Sequence, residues 1–207
     1  MSEARAAGLG VLVFVLGSVV IACGSGTGAA SVAPSEPRTT AAASSGPIVA
    51  SVPPGTTQAP LVVDPRLLEI LPARVAGVAI AAPPEAAAGM IADPSLQSSA
   101  SAIAVGIAID PATFDVAVAS VIRLRPGVYS DHFFKGWRLA YDTTACEPAG
   151  GVSSRVQQVL GTRPVDVAVC AQGAWTYHVH LPGDVLVSIT ASGHRRFGEL
   201  VMAGLRE

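Results

Sequence analysis

Asp166, His178 and Ser188 are the residue types of a nucleophilic relay, in which a carboxylate orients an imidazole that takes a proton from a hydroxyl. They stand on three successive stretches that alternate apolar and polar residues: Val165 to Cys170, Ala174 to Leu181 and Val185 to Ala191. The segments between them, Ala171-Gln172-Gly173 and Pro182-Gly183-Asp184, are three-residue loops containing glycine, a common hairpin solution. Odd loops keep Val165, Val167, Tyr177, Val179, Val187 and Ile189 on one face, and a slip of one residue would scatter them. Counting back along the other face sets Asp166 opposite His178 and His178 opposite Ser188. Opposed residues have Cβ atoms about 4.5–5.5 Å apart.

Three chemistries fit that row. As a hydrolytic triad, Ser188 is the nucleophile, His178 the base and Asp166 the orienter. A serine in mid-strand, however, has its backbone N–H committed to the ladder rather than to an oxyanion, and no Gly-x-Ser-x-Gly elbow is present. As a metal site, His178 and His180 project from one strand face, with His132, His194, Asp184 or Glu199 as further candidates; two histidines alone do not complete a site. As a polar ladder, the row is simply the solvated face of an antiparallel sheet. The ladder is the preferred reading, because it asks for nothing beyond the alternation. No cofactor is expected: Gly24-Ser25-Gly26-Thr27-Gly28 imitates part of a phosphate loop but follows no strand.

The first residues carry an address. Leu9 to Ala22 is an unbroken run of apolar and small residues, 14 long, short of the ~20 that cross a bilayer core and right for a secretory signal. Val20-Ile21-Ala22-Cys23-Gly24 resembles the lipobox of bacterial lipoproteins. The resemblance implies cleavage before Cys23, a thioether-linked diacylglycerol on its sulfur, and a place on the outer side of the bacterial cell membrane. Two acyl chains anchor stably where one is marginal, at about 0.8 kcal/mol per buried CH₂. With Cys23 lipidated, two of the three cysteines remain. In an oxidising compartment Cys146 and Cys170 are expected to pair, closing a loop of about 25 residues worth roughly 3.5 kcal/mol.

Residues 1–22 are thus read as signal peptide and residues 23–60 as the lipidated cysteine and a tether. Of the 37 residues from Gly24 to Pro60, 30 are Gly, Ala, Ser, Thr or Pro, too few apolar side chains to offset ordering entropy. Residues 61–207 form one domain, and nine of the ten aromatics fall in it, between Phe114 and Phe197. Its coarse reading is a short helix over Pro65–Leu71, a strand over Val75–Ala82, and an Ala-rich helix over Pro84–Ile91. Two alternating strands then run from Ala102 and from Phe114. Phe133, Phe134, Trp137, Ala140 and Tyr141 follow at helical spacing, behind Ser130 or Asp131 as N-cap. Four strands come next, the first over Val152–Leu160, and a last helix capped by Ser192.

That order predicts an α+β fold, a mostly antiparallel β-sheet with two or three helices packed on one face. It is loosely similar to the PsbP/Mog1-type fold of some exported lipoproteins, a likeness of element order that carries no function. Ala102, Ala104, Gly106 and Ala108, beside Ala117 and Ala119, form a small-residue strip that either floors an apolar groove or lets another element approach closely; the second is preferred. His194-Arg195-Arg196 reads as a solvated first turn rather than an anion site. A formal net charge of −2 with no basic block argues against nucleic acid as a partner. The expected protein is a non-catalytic binding or interaction module, held at the membrane by its lipid, whose partner is an envelope protein or a small molecule. A hydrolase and a carrier of lipid or other apolar ligand are the alternatives.

Overall fold

A computed structural model describes residues 58–206. The signal segment, Cys23 and nearly all of the tether lie outside the described residues. The chain runs through β1 (Val62–Val63), a 3-10 turn (Pro65–Ile70), β2 (Arg74–Val75), β3 (Val78–Ala79), α1 (Ala88–Ile91) and α2 (Pro94–Ser99). Next come the long strands β4 (Ala100–Asp110) and β5 (Asp115–Leu124), then α3 (Asp131–Cys146). The last part holds β6 (Val152–Leu160), β7 (Arg163–Cys170), β8 (Ala174–Leu181), β9 (Val185–Ser192) and α4 (Phe197–Ala203). Seven strands form one sheet in the order β1-β4-β5-β9-β8-β7-β6, with β2 and β3 a separate hairpin. Only β1–β4 is parallel; the other pairs in the sheet are antiparallel. The α+β expectation with a mostly antiparallel sheet holds.

Alternation along the strands sorts the side chains onto two faces, and both are covered. On one, Ala104, Ala119, Val121, Tyr177, Val187 and Ile189 pack with Leu67, Leu71 and Val75 and with Phe197, Val201 and Met202 of α4. On the other, Ile103, Ile122 and Leu186 pack with Leu61, with Leu96 of α2, and with Phe133, Phe134 and Trp137 of α3. The helices are therefore divided between the faces rather than gathered on one. The reason is the stripe on α3: at about 1.5–3 kcal/mol for each large apolar side chain buried, it needs a surface, and the core face is already taken by α4 and the segment around Leu67.

Several local readings change as well. The single strand expected over Val75–Ala82 is a tight hairpin, because Ala76 and Gly77 both adopt positive φ. The helix α2 begins at Asp93, whose carboxylate accepts the N–H groups of Ser95 and Leu96. The last helix starts at Phe197 rather than at Ser192, since Gly193 and Arg196 turn the chain through the left-handed region. Arg195 in that loop is spent internally: its guanidinium donates to Asp110 at 2.5 Å and to the Ala76 carbonyl, and its backbone N–H to Asp115. The small-residue strip is filled by the protein itself. A Cβ on Gly106 would lie 2.8 Å from Ile80 Cγ2 and 3.2 Å from Leu71 Cδ1.

The tightest approach is at Gly198 of α4, where an added Cβ would fall well inside van der Waals distance of the Tyr177 ring and 3.0 Å from Ala191 Cβ. Tyr177 is fully buried and cannot swing away. Gly198→Ala is expected to destabilise the fold by about 1–3 kcal/mol through overpacking, although alanine favours a helix by nearly 1 kcal/mol. Urea unfolding of the variant reads that balance directly.

Among the described residues no helix is long and apolar enough to cross a membrane.

Candidate functional site

The register of the three strands is as read from the sequence: Asp166 opposes His178, and His178 opposes Ser188. Gly173 at φ +80°, Gly183 at +78° and Asp184 at +57° make the two three-residue loops. The face carrying the row is not solvated, however. α3 lies over it, started by the Ser130 hydroxyl, which accepts the Phe133 N–H at 3.1 Å. His178 and Ser188 are each 1% exposed. The polar ladder expected at the solvent is a buried polar network under a helix.

That network is continuous. The Trp137 indole N–H donates to Ser188 Oγ at 3.0 Å, and Ser188 Oγ stands 2.9 Å from His178 Nδ1. His178 Nε2 stands 2.8 Å from Asp142 Oδ1 on α3. Asp142 also accepts Thr176 Oγ1–H at 2.5 Å and, through Oδ2, Arg155 Nε–H at 2.9 Å. Because a carboxylate only accepts, the network assigns the proton to Nε2. Nδ1 is then free to accept the Ser188 hydroxyl, whose oxygen takes the indole N–H. Every polar atom of this row has a partner without water, as a buried network requires. The Tyr141 ring meets the imidazole edge-on at 5.0 Å, and its hydroxyl accepts from Thr190. Burial pushes the Tyr141 phenol above its ordinary value. Burial also pulls the Asp142 carboxyl upward, but the hydrogen bonds from His178 and Thr176, then the electrostatic attraction of the His178 ring and the Arg155 bond, outweigh it. Asp142 therefore sits below the ordinary carboxylate value.

The acid of the row is thus Asp142, not Asp166. Asp166 holds the expected place in the ladder, but its carboxylate turns to the Arg138 guanidinium of α3, and both ring nitrogens of His178 are already occupied. The same occupancy removes His178 as a metal ligand. His180 is stacked on Tyr129 at 3.5 Å and faces Asp184 at 3.9 Å. Among the described residues no group of three or more His, Cys, Asp and Glu is arranged to hold a metal ion. Ser188 has a relay geometry, but its backbone lies inside the sheet between β5 and β8. An oxyanion hole needs preorganised donors aimed at one point beside the nucleophile; the donor beside Ser188 Oγ, the Trp137 indole, is spent on the hydroxyl itself.

Cys146 and Cys170 are bridged, with Cα atoms 5.1 Å apart. The bond ties the last turn of α3 to the end of β7, and both cysteines are buried. Asp142 is four residues before Cys146, so the two share one helix face, and the bridge sets Asp142 over Thr176 and His178. Next to this network, between α3 and β6–β7, a half-open cleft of about 280 Å³ is lined by Lys135, Arg138, Arg155, Gln157, Asp166 and His178, among others.

No family model, curated protein or solved structure matches the chain.

Proposed function

We propose that this is a lipid-anchored protein of the bacterial cell envelope, facing the extracytoplasmic side, whose α+β domain binds a partner or small molecule without catalysing a reaction. The anchor rests on Val20-Ile21-Ala22-Cys23 and its likeness to a lipobox. The buried Cys146–Cys170 bridge supports an oxidising compartment, where such bonds persist. The observation that carries the binding reading is the contrast at α3: the Ser188 hydroxyl is sealed under Trp137, whereas the cleft beside it is open and lined by charged side chains. The carrier alternative draws no support from the small-residue strip, which Leu71, Leu68 and Ile80 fill around Gly106.

One observation favours a second reading. Ser188, His178 and Asp142 stand at 2.9 and 2.8 Å, the spacing of a hydrolytic relay with Asp142 in the place expected for Asp166. A fluorophosphonate serine probe separates the two. The binding reading expects no labelling of folded wild-type protein, and Ser188→Ala is expected to cost about 1–3 kcal/mol for each of the two groups it leaves unpaired, the Trp137 indole N–H and His178 Nδ1. Labelling that the Ser188→Ala variant abolishes establishes the hydrolase instead.

The anchor has its own test. Cys23→Ala is expected to move the protein from the membrane fraction to the soluble extracytoplasmic fraction, or to leave it unprocessed. Mass spectrometry of the mature N-terminus should find the diacylglycerol on wild type and none on the variant.

A further inference from the structure

The cleft between α3 and β6–β7 has an imbalance of charge that its own residues do not resolve. Lys135, Arg138 and Arg155 line it against two carboxylates, Asp142 and Asp166. Asp142 is saturated, since Oδ1 takes Thr176 and His178 and Oδ2 takes Arg155 Nε. Asp166 is paired with Arg138. Arg155 gives its Nε–H to Asp142 while its side chain stays 43% exposed. Arg138 Nε is buried with no hydrogen-bond partner. Lys135 is exposed and has no ion-pair partner among the described residues. Three cations, two from α3 and one from β6, thus line the cleft against two carboxylates that are both already engaged, which leaves one positive charge in excess. The lining is completed by the apolar side chains Leu139 and Val156.

We infer that this cleft is a binding site for a small organic anion, a carboxylate or phosphate monoester with a short apolar body. The inference rests on the binding reading above and names the ligand class for it. The anionic head meets Lys135 and the partly exposed Arg155, while the body lies along Leu139 and Val156. Charge-assisted hydrogen bonds from Arg and Lys are the strong ones in such sites, and the fixed position of Arg155 on Asp142 means little ordering is lost when the ligand arrives. The volume, about 280 Å³, is at the small end for ligand sites and suits one ring or short chain rather than a polymer or a lipid tail.

The test uses the full chain in a non-ionic detergent, titrated calorimetrically with phenyl phosphate, benzoate and the neutral benzyl alcohol. Lys135 is the one lysine of the chain, so acylation at that position, followed by peptide mass spectrometry, reports occupancy independently. The expected result is that phenyl phosphate or benzoate binds about tenfold or more tightly than benzyl alcohol, slows acylation of Lys135 and weakens with added salt. Lys135→Glu should lower the anion affinity by about tenfold or more while leaving the unfolding midpoint unchanged, because the side chain is exposed. Arg155→Ala should abolish binding, and Lys135→Glu covers the case in which that variant disturbs Asp142. If all three compounds bind equally and Lys135→Glu changes nothing, the anionic class is wrong and the binding reading stands. If none binds at millimolar concentration and acylation is unprotected, this cleft is not the site and the binding reading loses its support as well.

Discussion

Replacing Asp142 by alanine is expected to destabilise the protein by about 2–5 kcal/mol, roughly 1–3 kcal/mol for each of the two buried donors it leaves unpaired. The variant strands His178 Nε2–H and Thr176 Oγ1–H in a face that water does not reach, and it frees Arg155 from the wall of the cleft. Asp166→Ala, by contrast, removes a partly exposed ion pair with Arg138 and is expected to cost about 1 kcal/mol or less. Urea denaturation of the two variants side by side measures the difference. The pH dependence follows from the same group. The folded-state pKa of Asp142 lies below its ordinary value of 3.8. Its contribution is therefore fully present above that value and is lost as pH falls through the folded-state pKa. Wild-type protein should lose stability on acidification in that window. The Asp142→Ala variant should show a shallower acid slope there, since it has no such proton to take up.

The second large effect is at the disulfide. The paired substitution Cys146→Ser with Cys170→Ser opens a loop of 24 residues' separation and is expected to cost about 3.5 kcal/mol by the loop-entropy account. Because the bridge ends the helix that carries Asp142, the loss should not stop at the unfolded chain. Hydrogen exchange at the Trp137 indole and the amides of the last turns of α3 should accelerate in the variant, while β4 and β5 keep their protection. The bridge is buried on both sides, so a mild reductant should leave the native protein oxidised and act only once it is unfolded. Uniform loss of protection across all strands would show instead that the helix and sheet open as one unit.

The strand register was legible because period-two alternation and two odd loops leave one solution: Asp166, His178 and Ser188 are where counting from Ala171-Gln172-Gly173 and Pro182-Gly183-Asp184 puts them. The pairing of Cys146 with Cys170 was legible from arithmetic. What was hidden is what lies across the row. Asp142 follows Tyr141 at the edge of the α3 stripe, and a carboxylate there reads as the start of a solvent face. The signal that could have found it was mutual need. The stripe of Phe133, Phe134, Trp137 and Tyr141 required a sheet face, and the even-numbered face of β8 and β9 was the one left. Once covered, Thr176, His178, Ser188 and Thr190 require partners on the helix. The short elements were missed for a different reason. β1 and the β2–β3 pair are two-residue strands, too brief for any periodicity to register, and tertiary contacts with β4 and α4 set them.

The strand order also dictates a sequence of assembly. β4–β5 and β6–β7–β8–β9 are runs of neighbours along the chain, each closable through short turns, whereas β5 and β9 are joined only after the chain leaves β5 at Leu124 and returns at Val185. Closing that span costs loop entropy before any contact across it rewards the chain. The seam between β5 and β9 is therefore the late event of folding, and Ser188 sits on it, opposite Ser120. Until the seam shuts, both parts present long apolar strand edges to the solvent, the state in which one copy can lend its β4–β5 hairpin to the β9 edge of another.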